Sequence, residues 1–210
     1  MAEKDLSWKF AEDFVVESEA IATARAHSLE HGVEPISPAQ GAQLAVLAAA
    51  TDAKSIIEIG TGFGVSGLWM FTGAPNATLT SIEIEIDYQQ SARKAFADFG
   101  IPAKRARLIA GRALEVLPRM NESSYDIVLV DADPGSVIEY VEHALRLVRV
   151  GGTVVVPHAL WRGRVADPAQ RDDTVVDFRT LLSETAGSSA VLSALSLAGD
   201  GLLQLTRVKV

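Results

Sequence analysis

The chain has 210 residues, 48% hydrophobic and 22% charged, enough to bury a sizeable core in one compact domain. Its net charge of −8 argues against a general affinity for nucleic acid or an anionic membrane, and without cysteine it forms neither disulfides nor thiolate metal sites. MAEKDLSWKF carries acids and no apolar core, so it does not read as a signal peptide, and no apolar run approaches the ~20 residues of a membrane helix; a soluble, cytoplasmic protein is expected.

From Leu6 to Glu30, apolar residues at helical spacing (Phe10, Phe14, Ile21) among acids predict one amphipathic helix. Ser37-Pro38-Ala39-Gln40 is a capping box with proline at the first helical position, opening a helix through Ala50. Strands and helices then alternate. Ser55–Ile59 is a short apolar strand, with Gly67–Phe71 in the helix behind it. Ala77–Glu83 is a second strand, followed by a helix over Asp87–Phe99 that Asp87 caps, and the basic run Lys104–Arg107 reads mainly as a solvated loop. Ala106–Ala110, Tyr125–Asp131 and Gly152–Val156 are further strands, separated by helices over Ala113–Leu117 and Val137–Val148. Asp133-Pro134 suits the cap and first residue of the second of these helices. Asp167 and Pro168 then open a helix over Ala169–Thr185, and Ala190–Val210 holds two strands around Gly199-Asp200-Gly201, a hairpin signal.

Such alternation means an α/β, doubly wound sheet, parallel and covered on both faces, with at least one antiparallel strand at its closing hairpin. Ligands of these sheets bind at the carboxyl ends of the strands, near the point where the winding reverses. That selects Glu58–Gly64, Glu83, Gly111–Arg112, Asp131–Pro134 and Pro157–Trp161. The last segment belongs to VVVPHALWRGRV (154–165), a buried strand that ends in proline, histidine and an arginine-flanked tryptophan.

The loop Gly60-Thr61-Gly62-Phe63-Gly64 follows a strand and precedes a helix, where glycine lets the backbone turn tightly and approach a ligand. GFGVSG also satisfies a dinucleotide pattern, but it would start two residues late. Glu58, an acid inside the apolar strand, is costly to bury unless paired. Its partner is either a cationic ligand or a nearby arginine or backbone amides. Glu83, 19 residues beyond Gly64, stands where a carboxylate holds the ribose hydroxyls of an adenosine cofactor; its alternative is an exposed strand-end acid, with Glu85 one register step away. Together the loop and the two acids favour S-adenosylmethionine over a nicotinamide cofactor.

PAQGAQL, EIGTGFGVSGLWM, TSIEIE, YDIVLVDAD, LRLVRVGG, LWRGRVADP and GDGLLQL occur in that order from Ile36 onward. In these blocks the chain resembles the S-adenosylmethionine-dependent O-methyltransferases related to catechol and caffeoyl-CoA O-methyltransferases. The resemblance implies a Rossmann-like, seven-stranded methyltransferase sheet whose last strand is antiparallel. It implies a single domain: residues 36–210 as the cofactor-binding catalytic core and 1–35 as a helical extension. It places the methionine part of the cofactor against Glu58, Gly60 and Ser66, within the loop of Thr61, Gly62 and Gly64. The ribose falls on Glu83 and the adenine near Gly111 and Arg112. The backbone of Ile36 matches a cofactor contact, and Asp131 an acid near the sulfonium that in the family also binds metal.

The chain departs from this family at the reaction centre. Asp131-Ala132-Asp133-Pro134 has proline where the family has lysine, and Val156-Pro157-His158 stands where it has Ala-Asp-Asn. Proline cannot replace a carboxylate ligand, so no metal ligand set is assigned and a divalent metal is not expected. His158 then has three readings: a general base, since imidazole is poised near neutrality; a metal ligand in an altered site; or a strand-end residue without a chemical task. His158 and Asp131 are the catalytic candidates, while His27, His31 and His143 read as structural.

The resulting expectation is methyl transfer from S-adenosylmethionine to a small hydroxylated substrate, without nucleic acid or membrane partners. Competing readings are a catalytically impaired cofactor-binding domain and a tRNA-modifying methyltransferase, for which Lys104–Arg107, Arg162 and Arg164 are thin support; a nicotinamide oxidoreductase is more remote. Relatives are often homodimers, and the N-terminal helix offers a surface either for pairing or for covering the substrate site.

Overall fold

The computed structural model describes residues 2–209, with side chains from Asp5 onward, so Met1 and the hairpin's final Val210 lie outside the described residues. Seven strands form one sheet: β1 (Ser55–Ile59), β2 (Thr78–Glu83), β3 (Ala106–Ala110), β4 (Tyr125–Val130), β5 (Val148–Pro157), β6 (Val191–Ser196) and β7 (Leu202–Arg207). Their order is β3-β2-β1-β4-β5-β7-β6. The first five run parallel, and β7 is antiparallel to both β5 and β6. This is the doubly wound, seven-stranded arrangement that the strand–helix alternation and the closing hairpin anticipate. The winding reverses between β1 and β4, where Ile59 pairs with Ile82 on one side and Val130 on the other.

Successive strand residues point to opposite faces, and the buried residues divide accordingly. Ile56, Leu79, Ile127 and Val155 pack with α2 (Glu19–Glu30), α3 (Pro38–Ala50), α4 (Val65–Gly73) and α5 (Ile86–Asp98). Ile57, Ile82, Val128 and Val154 pack with α7 (Val137–Leu147) and α8 (Asp173–Gly187), while the short α6 (Ala113–Val116) lies beside that core. Among the described residues, no helix is long and apolar enough to cross a membrane.

Three boundaries depart from the sequence expectation. The single N-terminal helix is two, α1 (Ala2–Asp13) and α2, because Ser18 is extended (φ −67°, ψ 157°) and caps α2 by accepting the Ile21 N–H. Asp87 is not the cap of α5; Glu85 occupies that position and Asp87 lies in the first turn. The helix expected from Asp167 begins only at Asp173, after the cap residue Asp172. Asp167 instead closes a local turn by accepting the Ala169 N–H at 2.9 Å. The Arg179 guanidinium occupies the carbonyls of Asp167 and Gln170, which a helix starting there would need for its own ladder, and that of Val165 just before them. The capping box of α3 and the Asp133-Pro134 start are as expected, the latter as a 3₁₀ turn leading into α7. The Lys104–Arg107 run is more ordered than a solvated loop. It spans a 3₁₀ turn and the start of β3, and Arg105 bonds Pro75 O at 2.7 Å and Asn76 Oδ1 at 2.8 Å.

Two glycines let α3 and α4 meet closely. A Cβ on Gly41 would lie 2.2 Å from the Trp69 indole nitrogen, and one on Gly73 only 1.9 Å from the Ala45 carbonyl oxygen. The Ala45 contact is backbone and cannot swing aside. Gly73→Ala should therefore destabilise the protein by about 1–3 kcal/mol through overpacking, read as a lower urea midpoint; an unchanged midpoint would show that the helices can separate freely.

Candidate active site

The carboxyl ends of the strands enclose a two-lobed cleft. The larger lobe, about 360 Å³, is lined by Ile36, Gly60, Thr61, Gly62, Ser66, Glu83, Asp131 and His158, together with Phe63, Tyr88, Trp161 and Asp200. The smaller, about 290 Å³, contains Gly111 and Arg112 and shares Gly60, Glu83, Ile84, Ala132 and Asp133 with the first. The fold thus gathers most of the sequence-selected residues around two adjoining cavities with shared walls. Glu58 and Gly64 do not line it. Gly64 opens α4 against Ala92 and Phe96, and Glu58 lies beneath the floor.

Gly60 determines the cleft's geometry. It has φ 93°, and a Cβ there would sit 1.9 Å from the Asp131 carbonyl oxygen. The glycine loop can therefore turn directly against the end of β4, with the Asp131 N–H donating to Ile59 O at 2.8 Å. Glu83 is buried, not exposed, and anchors the same loop. One of its carboxylate oxygens accepts the Gly62 N–H at 2.8 Å; the other accepts those of Ile84 and Glu85 at 2.9 and 3.0 Å.

Glu58 is fully buried and pairs with neither arginine nor backbone amides. Its partners are two hydroxyls, Ser66 Oγ and, at 2.5 Å, Ser81 Oγ. Thr61 Oγ1 joins Ser81 Oγ at 2.6 Å, so Ser66 and Thr61 carry this network to the cleft wall. Burial pushes the Glu58 carboxyl up to about 8; the two serine hydrogen bonds offset this only in part, and the charges of Asp131 and Glu83 add to it.

His158 sits in a left-handed backbone conformation (φ 58°) at the end of β5, followed by Trp161 and Arg162 at φ 46° and 55°. Its Nδ1 lies 2.7 Å from Asp200 Oδ1, and its Nε2 lies 3.7 Å from Asp131 Oδ1. Burial alone would lower its pKa, but the Asp200 hydrogen bond and the charges of Asp131, Asp200 and Glu34 outweigh it and raise the value to about 9. The ring is therefore mainly imidazolium at neutral pH. Asp131 is raised by burial, opposed by the His158 charge and reinforced by Asp200. Burial also acts upward on Asp200, yet its bond to the imidazolium holds it below the usual carboxylate range.

Sequence reasoning did not select Asp200. The signal available was the Gly-Asp-Gly turn, which the antiparallel pairing of Pro157 with Leu202 brings beside the end of β5. Arg162, singled out in the sequence only as thin support for tRNA binding, pairs with Glu34, and both line the cleft. His27 and His31 buttress Phe63, with ring centroids 4.9 and 5.0 Å from it, and Tyr88 meets the same ring at 4.9 Å, tilted by 38°. Among the described residues, no group of three or more His, Asp or Glu is arranged to hold a metal ion, and the imidazole stands between the Asp131 and Asp200 carboxylates.

The cleft suits a cofactor bearing a positive sulfur and an adenosine. Its walls carry Glu34, Glu83, Glu115, Asp131, Asp133 and Asp200, against Arg112, His158 and Arg162, and its two lobes meet at Glu83. A family model described as O-methyltransferase matches residues 11–208. A Mycobacterium tuberculosis protein named "Probable O-methyltransferase" is 42% identical over 201 residues, covering 95% of this chain and 90% of its own. Among solved structures, the O-methyltransferase TomG of Streptomyces achromogenes, involved in tomaymycin synthesis and determined with S-adenosylmethionine, is similar at 32% identity. Its TM-score is 0.83, with 96% of this chain and 95% of TomG covered. A Corynebacterium glutamicum protein reaches a TM-score of 0.89 at 28% identity, covering 100% of this chain and 99% of its own.

Glu58 gives the cleft a measurable signature. The folded protein keeps the Glu58 proton up to about pH 8, whereas the unfolded chain releases it near 4.5, so folding binds more protons in that window. Stability of the cofactor-free protein must therefore fall as pH rises through it. Glu58→Gln removes this contribution while leaving the His158 slope in place. Its melting temperature should change less than that of the wild type between about pH 5 and pH 8; parallel curves would mean that Glu58 titrates normally.

Proposed function

We propose the following for this chain, which belongs to the O-methyltransferase family: it binds S-adenosylmethionine and directs methyl transfer to a hydroxyl of a small acceptor, with His158 taking the hydroxyl proton and without a divalent metal. The observation that carries this reading is the adjacency of the two lobes, whose shared walls at Gly60 and Glu83 place Gly111 and Arg112 on one side and Asp131 and His158 on the other.

S-adenosylmethionine supplies, when bound, a methyl group on a positively charged sulfur that an oxygen can displace in line. Glu83 offers a buried carboxylate for the ribose hydroxyls, already oriented by the N–H groups of Gly62, Ile84 and Glu85. Gly111 and Arg112 border the lobe assigned to adenine. Ser66, Thr61 and Gly60 wall the lobe assigned to methionine, with Glu58 behind them as a carboxyl that can ionise when a cation arrives. Asp131, at the end of β4 beside Gly60, complements positive charge. The Ile36 carbonyl faces competition for its contact, since Arg25 donates to it at 2.7 Å.

His158 accepts a proton only when neutral. A cation placed against Asp131 opposes the imidazolium and lowers its pKa, making the ring available nearer neutrality. Absence of metal is supported by Pro157 at a ligand position of related enzymes and by the imidazole already partnered with both carboxylates.

Calorimetry should register binding of S-adenosylhomocysteine to the purified protein, and no heat of binding would overturn the cofactor assignment. His158→Ala should lower turnover by about 10²–10⁴-fold with that affinity retained, and EDTA should leave wild-type turnover unchanged. Because the base must be deprotonated, wild-type turnover should rise with pH, its midpoint at or below about 9, and the variant should lose this limb. A wild-type protein that binds the cofactor product but never turns over would favour the impaired-domain reading.

A further inference from the structure

Asp200 lies in the turn Gly199-Asp200-Gly201 between β6 and β7, outside every segment that forms the cofactor lobes except where the cleft reaches His158. Its two carboxylate oxygens have separate partners. Oδ1 takes His158 Nδ1 at 2.7 Å, and Oδ2 accepts the Arg162 N–H at 3.2 Å. The backbone of the turn is knitted to the strained segment after β5: Ala159 N–H donates to Gly201 O at 3.1 Å and Leu160 N–H to Asp200 O at 2.9 Å. The approach is so close that a Cβ on Gly201 would lie 2.6 Å from the Leu160 nitrogen.

The other side of the turn is braced by helices. Glu12 of α1 accepts the Gly199 N–H at 2.6 Å, and the Trp8 indole donates to Gly199 O at 3.1 Å. Gln40 of α3 donates to Gly201 O at 3.2 Å. An acid in a hairpin turn usually needs no more than its own local amides. Here three elements hold the turn so that one carboxylate oxygen meets one ring nitrogen.

We propose that Asp200, braced by Glu12 and Trp8 of α1, is the positioning residue that fixes the ring and tautomer of His158 for methyl transfer; the proposal rests on the reading of His158 as the base. An imidazole can rotate about its χ2 and carry its proton on either nitrogen. A carboxylate on Nδ1 holds the proton there and leaves Nε2 directed toward Asp131 and the cleft, the nitrogen that an acceptor hydroxyl would meet. α1 thereby acts on the reaction centre without lining its His158 end: α1 holds Gly199, the turn holds Asp200, and Asp200 holds the ring.

The test uses Asp200→Ala, with Asp200→Asn as the closely isosteric variant should the alanine protein fold poorly. In ¹⁵N-histidine NMR spectra above the ring's pKa, wild-type His158 should carry its proton on Nδ1, and both variants should move it toward Nε2. Turnover is followed as S-adenosylhomocysteine release with 3,4-dihydroxybenzoate as acceptor. Asp200→Ala should lower it about 10²-fold in the wild-type background and less than about twofold in a His158→Ala background, since the ring it positions is then gone. Affinity for S-adenosylhomocysteine should stay within about twofold throughout, and Glu12→Ala should reproduce part of the turnover loss and tautomer shift.

An unchanged tautomer in Asp200→Ala and Asp200→Asn would overturn the proposal. So would an equal turnover loss in the His158→Ala background, or a parallel loss of cofactor affinity, because either means that Asp200 only supports the fold. If His158→Ala turns over like the wild type, the base reading fails instead, and the tautomer measurement still decides what Asp200 does to the ring. Should the wild type not use 3,4-dihydroxybenzoate, the NMR measurement alone decides.

Discussion

With room for no side chain between position 60 and the Asp131 carbonyl, β1 and β4 end side by side, and the rest of the site hangs on that contact. It sets the glycine loop at the reversal of the winding, where two crossovers leave in opposite directions and a crevice opens. From there Gly62 reaches Glu83, and Asp131 is carried to the cleft wall beside His158. Any larger residue at position 60 would part the strand ends and separate the cofactor loop from the reaction centre together.

The second constraint is electrostatic. A buried carboxyl without a cationic partner is unfavourable, and Glu58 under the cleft is one; Asp131 and Asp200 share a single imidazole between them. The protein manages them with protons: Glu58 is held largely neutral at pH 7 and His158 largely charged. A cation entering the cleft would bear on both arrangements. A sulfonium cofactor would let Glu58 ionise and would relieve the imidazolium of its role as counter-ion to Asp131. On the proposed reading, the charge that stabilises the free site is the one that catalysis must displace.

The sheet was largely legible in the sequence because apolar strands, glycine turns and capping residues are local signals. The expectation of seven strands with a closing antiparallel pair matches the observed order. Helix starts were less legible: the break at Ser18 is set by its own cap on α2, and the start at Asp173 is delayed where Arg179, further along the chain, occupies carbonyls before it. The proposed cofactor residues could be grouped from sequence because strand ends converge by topology, and most of them line the cleft. Asp200 could not be, because it becomes a neighbour of His158 only once β7 has run antiparallel to β5, 42 residues away in the chain. Likewise, the partners of Glu58 could not be chosen from sequence, since Ser81 meets it through strand register and Ser66 through the turn of α4.

The strain after β5 has its explanation in the same pairing. His158, Trp161 and Arg162 all adopt left-handed backbone conformations, which cost of order 1–3 kcal/mol each for residues with side chains and persist only where surroundings overdetermine them. The hairpin turn supplies that surrounding, since Gly201 and Asp200 together occupy the N–H groups of Ala159, Leu160 and Arg162. A relaxed strand end would carry position 158 along the sheet and away from the rim; the strained turn instead folds the imidazole back between two carboxylates. Much of the cost thus falls beside Val156-Pro157-His158, one of the two places where the chain departs from the family it resembles, and it is met by contacts from the β6–β7 turn and α1, elements that line little of the space where the cofactor would lie.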